Sequence, residues 1–81
     1  MHYTYFLYSE KHHRVYVGIT DNLKERLERH NHGDVTSTKP YQPWILAYYE
    51  AHRSRTLARK AELFYKTSQG RRQVQKKLGL K

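Results

Sequence analysis

The chain has 81 residues, one domain's worth over residues 1–81, and a chain of this size buries only roughly 60% of its unfolded surface on folding. With 16 Lys and Arg against 7 Asp and Glu, the net charge is +9, so the expected partner is anionic, a nucleic acid or a membrane surface. The absence of cysteine excludes a disulfide framework and a thiolate zinc site, no run of 18 apolar residues or secretory pattern occurs, and 8 tyrosines with 1 tryptophan argue for a folded, soluble, cytoplasmic protein over a basic tail.

His2 to Tyr8 is rich in aromatic and β-favouring residues, and Arg14 to Ile19 alternates Val15, Val17 and Ile19 with Arg14, Tyr16 and Gly18. Both predict strands, and the short polar link Ser9-Glu10-Lys11-His12 predicts an antiparallel hairpin. A four-residue loop at Ser9 to His12 sets Tyr8 against His13 and Tyr5 against Tyr16, both rings on one face. Thr20, Asp21 and Asn22 are helix-capping types; Leu23 and Leu27 recur one turn apart, and Gly33 stops the pattern, so a first helix is expected near 21–31. The stretch from His32 to Pro43, dense in Gly, Thr, Ser and Pro, predicts a long loop carrying Lys39. Trp44 to Glu50 is apolar on both faces and predicts a strand covered on both sides. Ser54 offers a cap for a helix running to about Ser68, with an apolar stripe of Leu57, Ala58, Ala61, Phe64 and Tyr65 and a stop at Gly70. Val74 and Leu78, one turn apart among basic residues, predict a last amphipathic helix over 71–80. The order β, β, α, β, α, α predicts an α+β fold: a three-stranded antiparallel sheet flanked by about three helices.

Several side chains stand out against that frame. Arg26 and His30 fall at the edge of the sheet-facing side of the first helix. Glu62 lies beside the apolar stripe of the second helix and is that helix's only acid. An ion pair with Lys66 at i+4 explains it in ordinary terms, and a single divalent-metal ligand at a phosphate site explains it in functional ones. Tyr5 and Tyr16 are packing partners or chemistry-bearing phenols, and Gly18 within a strand marks a close approach of another group. His2, His12, His13, His32 and His52 show no pairing that points to a structural zinc site.

Taken together, Tyr3-Thr4-Tyr5, Tyr16-Val17-Gly18, Arg26 eight residues after the glycine, His30 one turn later and Glu62 after the third strand resemble the GIY-YIG nuclease superfamily. Asn31, Ser37-Thr38-Lys39, Pro43-Trp44 and Tyr48-Tyr49-Glu50 extend the likeness over nearly the whole chain. It is similar to the small single-domain branch, akin to the GIY-YIG nuclease domain of the bacterial excinuclease. Tyr3-Thr4-Tyr5 stands where Gly-Ile-Tyr is usual, and the late asparagine of some members has no clear counterpart.

The resemblance implies hydrolysis of DNA phosphodiesters with one Mg²⁺ or Mn²⁺ held by Glu62, as in repair or recombination endonucleases. Tyr5 or Tyr16 would be the base, with Arg26, Lys66 and the metal favouring its phenolate. Arg26 would clamp the phosphate, and His30 would orient a tyrosine or the water. Lys39, Arg53, Arg55, Arg59, Lys60, Lys66, Arg71, Arg72, Lys76 and Lys77 are the candidate nucleic-acid contacts; they carry charge and no base information, so low sequence specificity is expected, with a recognised DNA shape or a partner protein supplying the target. Two other readings compete: a nucleic-acid-binding module of the same fold that cleaves weakly, and a small basic ribosome-associated or membrane-surface protein using the helix at 71–80. The apolar face of Val74 and Leu78 is too small to favour a membrane.

Overall fold

In the computed structural model, which describes residues 1–80, the order is β1 (His2–Ser9), β2 (Arg14–Thr20), α1 (Leu23–His32), a short 3₁₀ turn (Lys39–Tyr41), β3 (Ile45–His52), α2 (Arg55–Tyr65) and α3 (Ser68–Lys77). The three strands form one antiparallel sheet in the order β2-β1-β3. The expected α+β architecture and element order are those observed.

Alternation along β1 sends successive side chains to opposite faces. Tyr5 and Leu7 join Trp44 in a cluster with Tyr16, Leu23, Leu27, Tyr41 and Leu46, which is where α1 packs. Phe6 joins Val17, Tyr65 and Val74 in a second cluster beneath α2 and α3, with Val15, Tyr48, Ala61 and Leu78 against it. The strand covered on both sides is therefore β1, with Tyr5, Phe6 and Leu7 almost wholly buried. β3 is an edge strand, and alternate residues along it, Ile45, Ala47, Tyr49 and Ala51, are exposed, so it is not covered on both sides as the sequence leads one to expect. Apolar composition alone does not show which parts of a strand the rest of the chain covers. A register shift between Phe6 and Leu7 lets Leu46 pack on the α1 side while Tyr48 packs on the other.

The hairpin loop is displaced by one residue from the expected position. His13 takes a left-handed conformation (φ 52°), which histidine tolerates better than most side chains, and Ser9 pairs with Arg14. Tyr5 accordingly faces Gly18, and Tyr16 faces Leu7. Moving the loop by one changes the pairing by two residues, so both tyrosines keep the same face and meet diagonally, ring centroids 6.3 Å apart.

Capping explains the helix limits. Asn22 accepts from the Glu25 N–H at 3.1 Å, and Gly33 closes α1 in a left-handed conformation (φ 81°). Ser54 caps α2 through the Leu57 N–H at 3.2 Å. The second helix ends at Tyr65, not Ser68, and Gly70 does not stop it. Thr67 donates to the Phe64 carbonyl at 2.7 Å and accepts from the Gly70 N–H at 3.0 Å, so one hydroxyl closes α2 and opens α3. Gly70 lies inside α3, where a Cβ would overlap the Phe64 carbonyl oxygen and sit 2.6 Å from Tyr65 Cα. The buried face of α2 is Ala58, Glu62 and Tyr65 with Ala61 beside it, while Leu57 and Phe64 of the expected stripe are exposed.

Candidate active site

Four of the five singled-out side chains meet on the α1 face of the sheet. Tyr5 and Tyr16 rise from adjacent strands, and α1 lays Arg26 and His30, one turn apart, across them. His30 is fully buried, with its ring centroid 4.8 Å from that of Tyr16 and 6.0 Å from that of Tyr5. The Tyr5 hydroxyl lies 3.0 Å from His30 Nε2, and Arg26 Nε donates to the same hydroxyl at 3.3 Å. On the other side of the imidazole, Nδ1 lies 2.8 Å from Thr38 Oγ1, and the Thr38 hydroxyl donates to the Val35 carbonyl at 3.3 Å.

This chain of bonds assigns the protons. Because the Thr38 hydrogen is committed to Val35, Thr38 Oγ1 accepts from His30 Nδ1–H, which leaves Nε2 as the acceptor for the Tyr5 hydroxyl. Burial, together with the nearby Arg26 charge, lowers His30 to about 4, so the imidazole is neutral at pH 7 as this tautomer requires. Burial likewise pushes the Tyr5 phenol up to about 12, against the opposing hydrogen bond from Arg26. That bond in turn holds the Arg26 guanidinium above its ordinary value, with a smaller contribution from the neighbouring Tyr16. Tyr5 is thus a locked, protonated phenol, whereas Tyr16 is half-buried and reaches the surface.

Glu62 comes from α2, on the other face of the sheet, and makes no hydrogen bond to these four. Its carboxylate accepts from Arg59 Nη1 at 2.6 Å and Lys66 Nζ at 3.1 Å. Burial alone would raise it, but these two bonds and the charges behind them prevail and hold it below the usual carboxylate range. Its charge is felt at Tyr5, where it adds to the forces that keep the phenol protonated. The ordinary expectation of a Glu62–Lys66 pair is observed, with Arg59 as a second partner.

The fold subjects the cluster to two further constraints. Gly18 is glycine because a Cβ there would stand 2.6 Å from Tyr5 Oη and 2.9 Å from Tyr16 Cε2. The segment after α1 is tied back by side chains: Asn31 accepts from the Trp44 N–H at 2.7 Å and donates to its carbonyl at 2.9 Å, Trp44 Nε1 donates to the Thr38 carbonyl at 2.9 Å, and Gln42 donates to the His30 carbonyl at 2.8 Å. Thr38 is the partner of His30 that spacing in the sequence does not reveal. Its position inside a Ser/Thr-rich loop gives no sign that it is buried against an imidazole.

Lys39, Arg53, Arg55, Arg59, Lys60, Lys66, Arg71, Arg72, Lys76 and Lys77 are all exposed. Among the described residues, only Arg59 and Lys66 of this set pair with a carboxylate, and Lys77 lies over the Tyr48 ring at 5.1 Å. No described helix is long and apolar enough to cross a membrane.

The sequence matches the GIY-YIG catalytic domain over residues 1–77. The chain belongs to the GIY-YIG family. It is also similar to the "UPF0213 protein in ldhD 5′region" of Pediococcus acidilactici, at 40% identity over 55 residues, which covers 64% of this chain and 56% of that protein. The chain thus spans little more than half the length of that curated relative. No solved structure is significantly similar to it. GIY-YIG catalytic domains are nuclease domains, and this chain carries that domain over residues 1–77. The family's two name-giving motifs correspond here to Tyr3-Thr4-Tyr5 on β1 and Tyr16-Val17-Gly18 on β2.

Proposed function

We propose that the protein is a divalent-metal-dependent endonuclease that hydrolyses phosphodiester bonds in DNA with little sequence preference, in repair or recombination. The observation that carries this reading is the bond chain Arg26–Tyr5–His30–Thr38 with Tyr16 beside it, because nothing in core packing calls for a half-buried guanidinium bonded to a buried phenol and imidazole.

Each residue then has a task. Tyr16 meets solvent and, as the phenolate, takes the proton of the attacking water to become the neutral phenol. Tyr5, fixed between Arg26 and His30, orients Arg26. Only the Arg26 Nε is taken by Tyr5, which leaves the terminal nitrogens for the phosphate, where a guanidinium holds two oxygens as the charge builds. His30 keeps the Tyr5 hydrogen pointed away from the substrate. Glu62 would be the one protein ligand of a single Mg²⁺ or Mn²⁺: a carboxylate has about four lone-pair sites, Arg59 and Lys66 use two, and Mg²⁺ is content with one or two carboxylates plus water and substrate phosphate. An ion held there would supply charge neutralisation for the leaving group.

The exposed Lys and Arg side chains contact the backbone of the nucleic acid and leave target choice to DNA shape or to a partner protein. The test is metal-dependent nicking of plasmid DNA. Arg26→Ala, Arg26→Lys and Glu62→Ala are each expected to lower the rate by at least about 10²-fold, and activity surviving Arg26→Ala and Glu62→Ala together removes the mechanism. A second reading, a binding module that cleaves weakly, draws on the Tyr5 phenol at about 12 and the double pairing of Glu62. DNA binding without any metal-dependent nicking by the unaltered protein decides for it.

A further inference from the structure

A cavity of about 440 Å³ opens between β2 and the junction of α2 and α3, within the range of small-ligand sites. Its floor is apolar and aromatic, made of the buried Val17, Tyr65 and Val74. Its rim is cationic, made of the exposed Arg14, Lys66 and Arg71, and no Asp or Glu lines it among the described residues. Tyr16 forms one wall, and Lys66 on the rim is also a partner of Glu62, so the cavity borders both halves of the candidate active site.

An apolar aromatic floor under a positive rim complements a ligand with a flat, weakly polar face and an anionic end. We propose that this cavity receives one unpaired nucleotide of the substrate strand next to the scissile phosphate, base inward and phosphate at the rim. The inference rests on the nuclease reading and sharpens it. A base inside a duplex is stacked and paired on its edge, so it reaches such a floor only when flipped out or already single-stranded. The substrate class that follows is DNA with an unpaired nucleotide beside the cut, as in a flap, a gap or a single strand, in preference to continuous duplex.

Four valines make the test specific. Val15, Val17 and Val74 line the cavity, whereas Val35 lies in the loop bonded to Thr38 and serves as an internal control. With protein labelled at the valine methyls and no metal added, dTMP is expected to shift the Val17 and Val74 signals saturably and leave Val35 in place. A four-nucleotide thymidine strand is expected to produce the same shifts at lower concentration, and Arg71→Ala to weaken both about tenfold. Inorganic phosphate alone is expected to leave Val17 and Val74 unmoved.

Unmoved Val17 and Val74 signals with dTMP and the strand overturn the proposal, as do equal shifts with inorganic phosphate. Binding of dTMP as tight as that of the strand overturns the strand assignment. Because the readout needs no cleavage, its failure in a protein that still nicks DNA removes the cavity proposal alone. Methyl shifts in a protein that never nicks remove the nuclease reading alone.

Discussion

Gly18 and Tyr5 occupy space that only one side chain can fill. An alanine Cβ at position 18 would lie 2.6 Å from Tyr5 Oη, so Gly18→Ala must displace the phenol that orients Arg26. Overpacking of this kind costs about 1–3 kcal/mol, and a misplaced clamp costs about 10²-fold in rate. Urea denaturation and the nicking assay check the two effects separately. His30 adds a pH signature. Its folded value of about 4 lies below the ordinary 6.5, so between those limits the unfolded chain binds a proton that the folded chain refuses. Stability therefore rises with pH through that window. His30's share, up to about 3 kcal/mol, is fully present above pH 6.5 and is lost as pH falls toward 4. Glu62, lowered from 4.5, acts below that point, so denaturation measured between pH 6.5 and 4.5 isolates the imidazole. A His30→Gln variant is expected to lose this part of the slope; an unchanged slope would show that the imidazole is not held neutral.

At the scale of elements, α2 is clamped on both sides of Glu62. The Thr4 hydroxyl donates to the Ala58 carbonyl at 2.9 Å and accepts from His52 Nε2 at 3.1 Å. One turn beyond Glu62, the Tyr65 hydroxyl donates to Glu50, which also accepts from Tyr48 at 3.0 Å and lies 3.6 Å from His52. Burial and the Glu50 carboxylate raise the Tyr65 phenol, so it stays a donor throughout the physiological range. Removing the shared acceptor leaves two hydroxyls unsatisfied. Glu50→Ala is therefore expected to cost about 2–3 kcal/mol and Tyr65→Phe about 1 kcal/mol. The two losses should combine to less than their sum in a double-mutant cycle read by urea denaturation. Full additivity would mean that Glu50 and Tyr65 do not act as a unit.

The whole molecule is a slab of 30 × 29 × 18 Å carrying a net charge of +9. Its broad face spans about nine base pairs at 3.4 Å per step, ample for several phosphate contacts. If about six phosphates are neutralised, affinity for DNA falls by roughly 10³-fold between 50 and 200 mM salt. Fluorescence anisotropy titrations at several salt concentrations measure the slope, and a flat response would mean that the cationic surface does not track the backbone.

The elements themselves were legible in the sequence, because strand alternation, the capping groups Asn22, Ser54 and Gly33, and the apolar spacing of α1 are local properties. The motif spacing likewise singled out Tyr5, Tyr16, Arg26 and His30, which the fold brings together, and Glu62, which it places on the other face of the sheet. The exact hairpin loop was not legible, since it turned on the left-handed backbone of His13, nor was the exposure of alternate residues along β3, since what covers a strand is decided by the rest of the chain. Gly70 looked like a helix stop until α2 was seen packed against it. Only the tertiary structure decided that residues 21 and 25 positions apart in sequence share the Tyr5 hydroxyl, and that Thr38 completes their bond chain. Protonation was decided at the same level. A phenol at about 12 beside an imidazole at about 4 is the product of shared burial, with one guanidinium charge that adds to the shift at the imidazole and opposes it at the phenol, and neither burial nor charge is a property of any single segment.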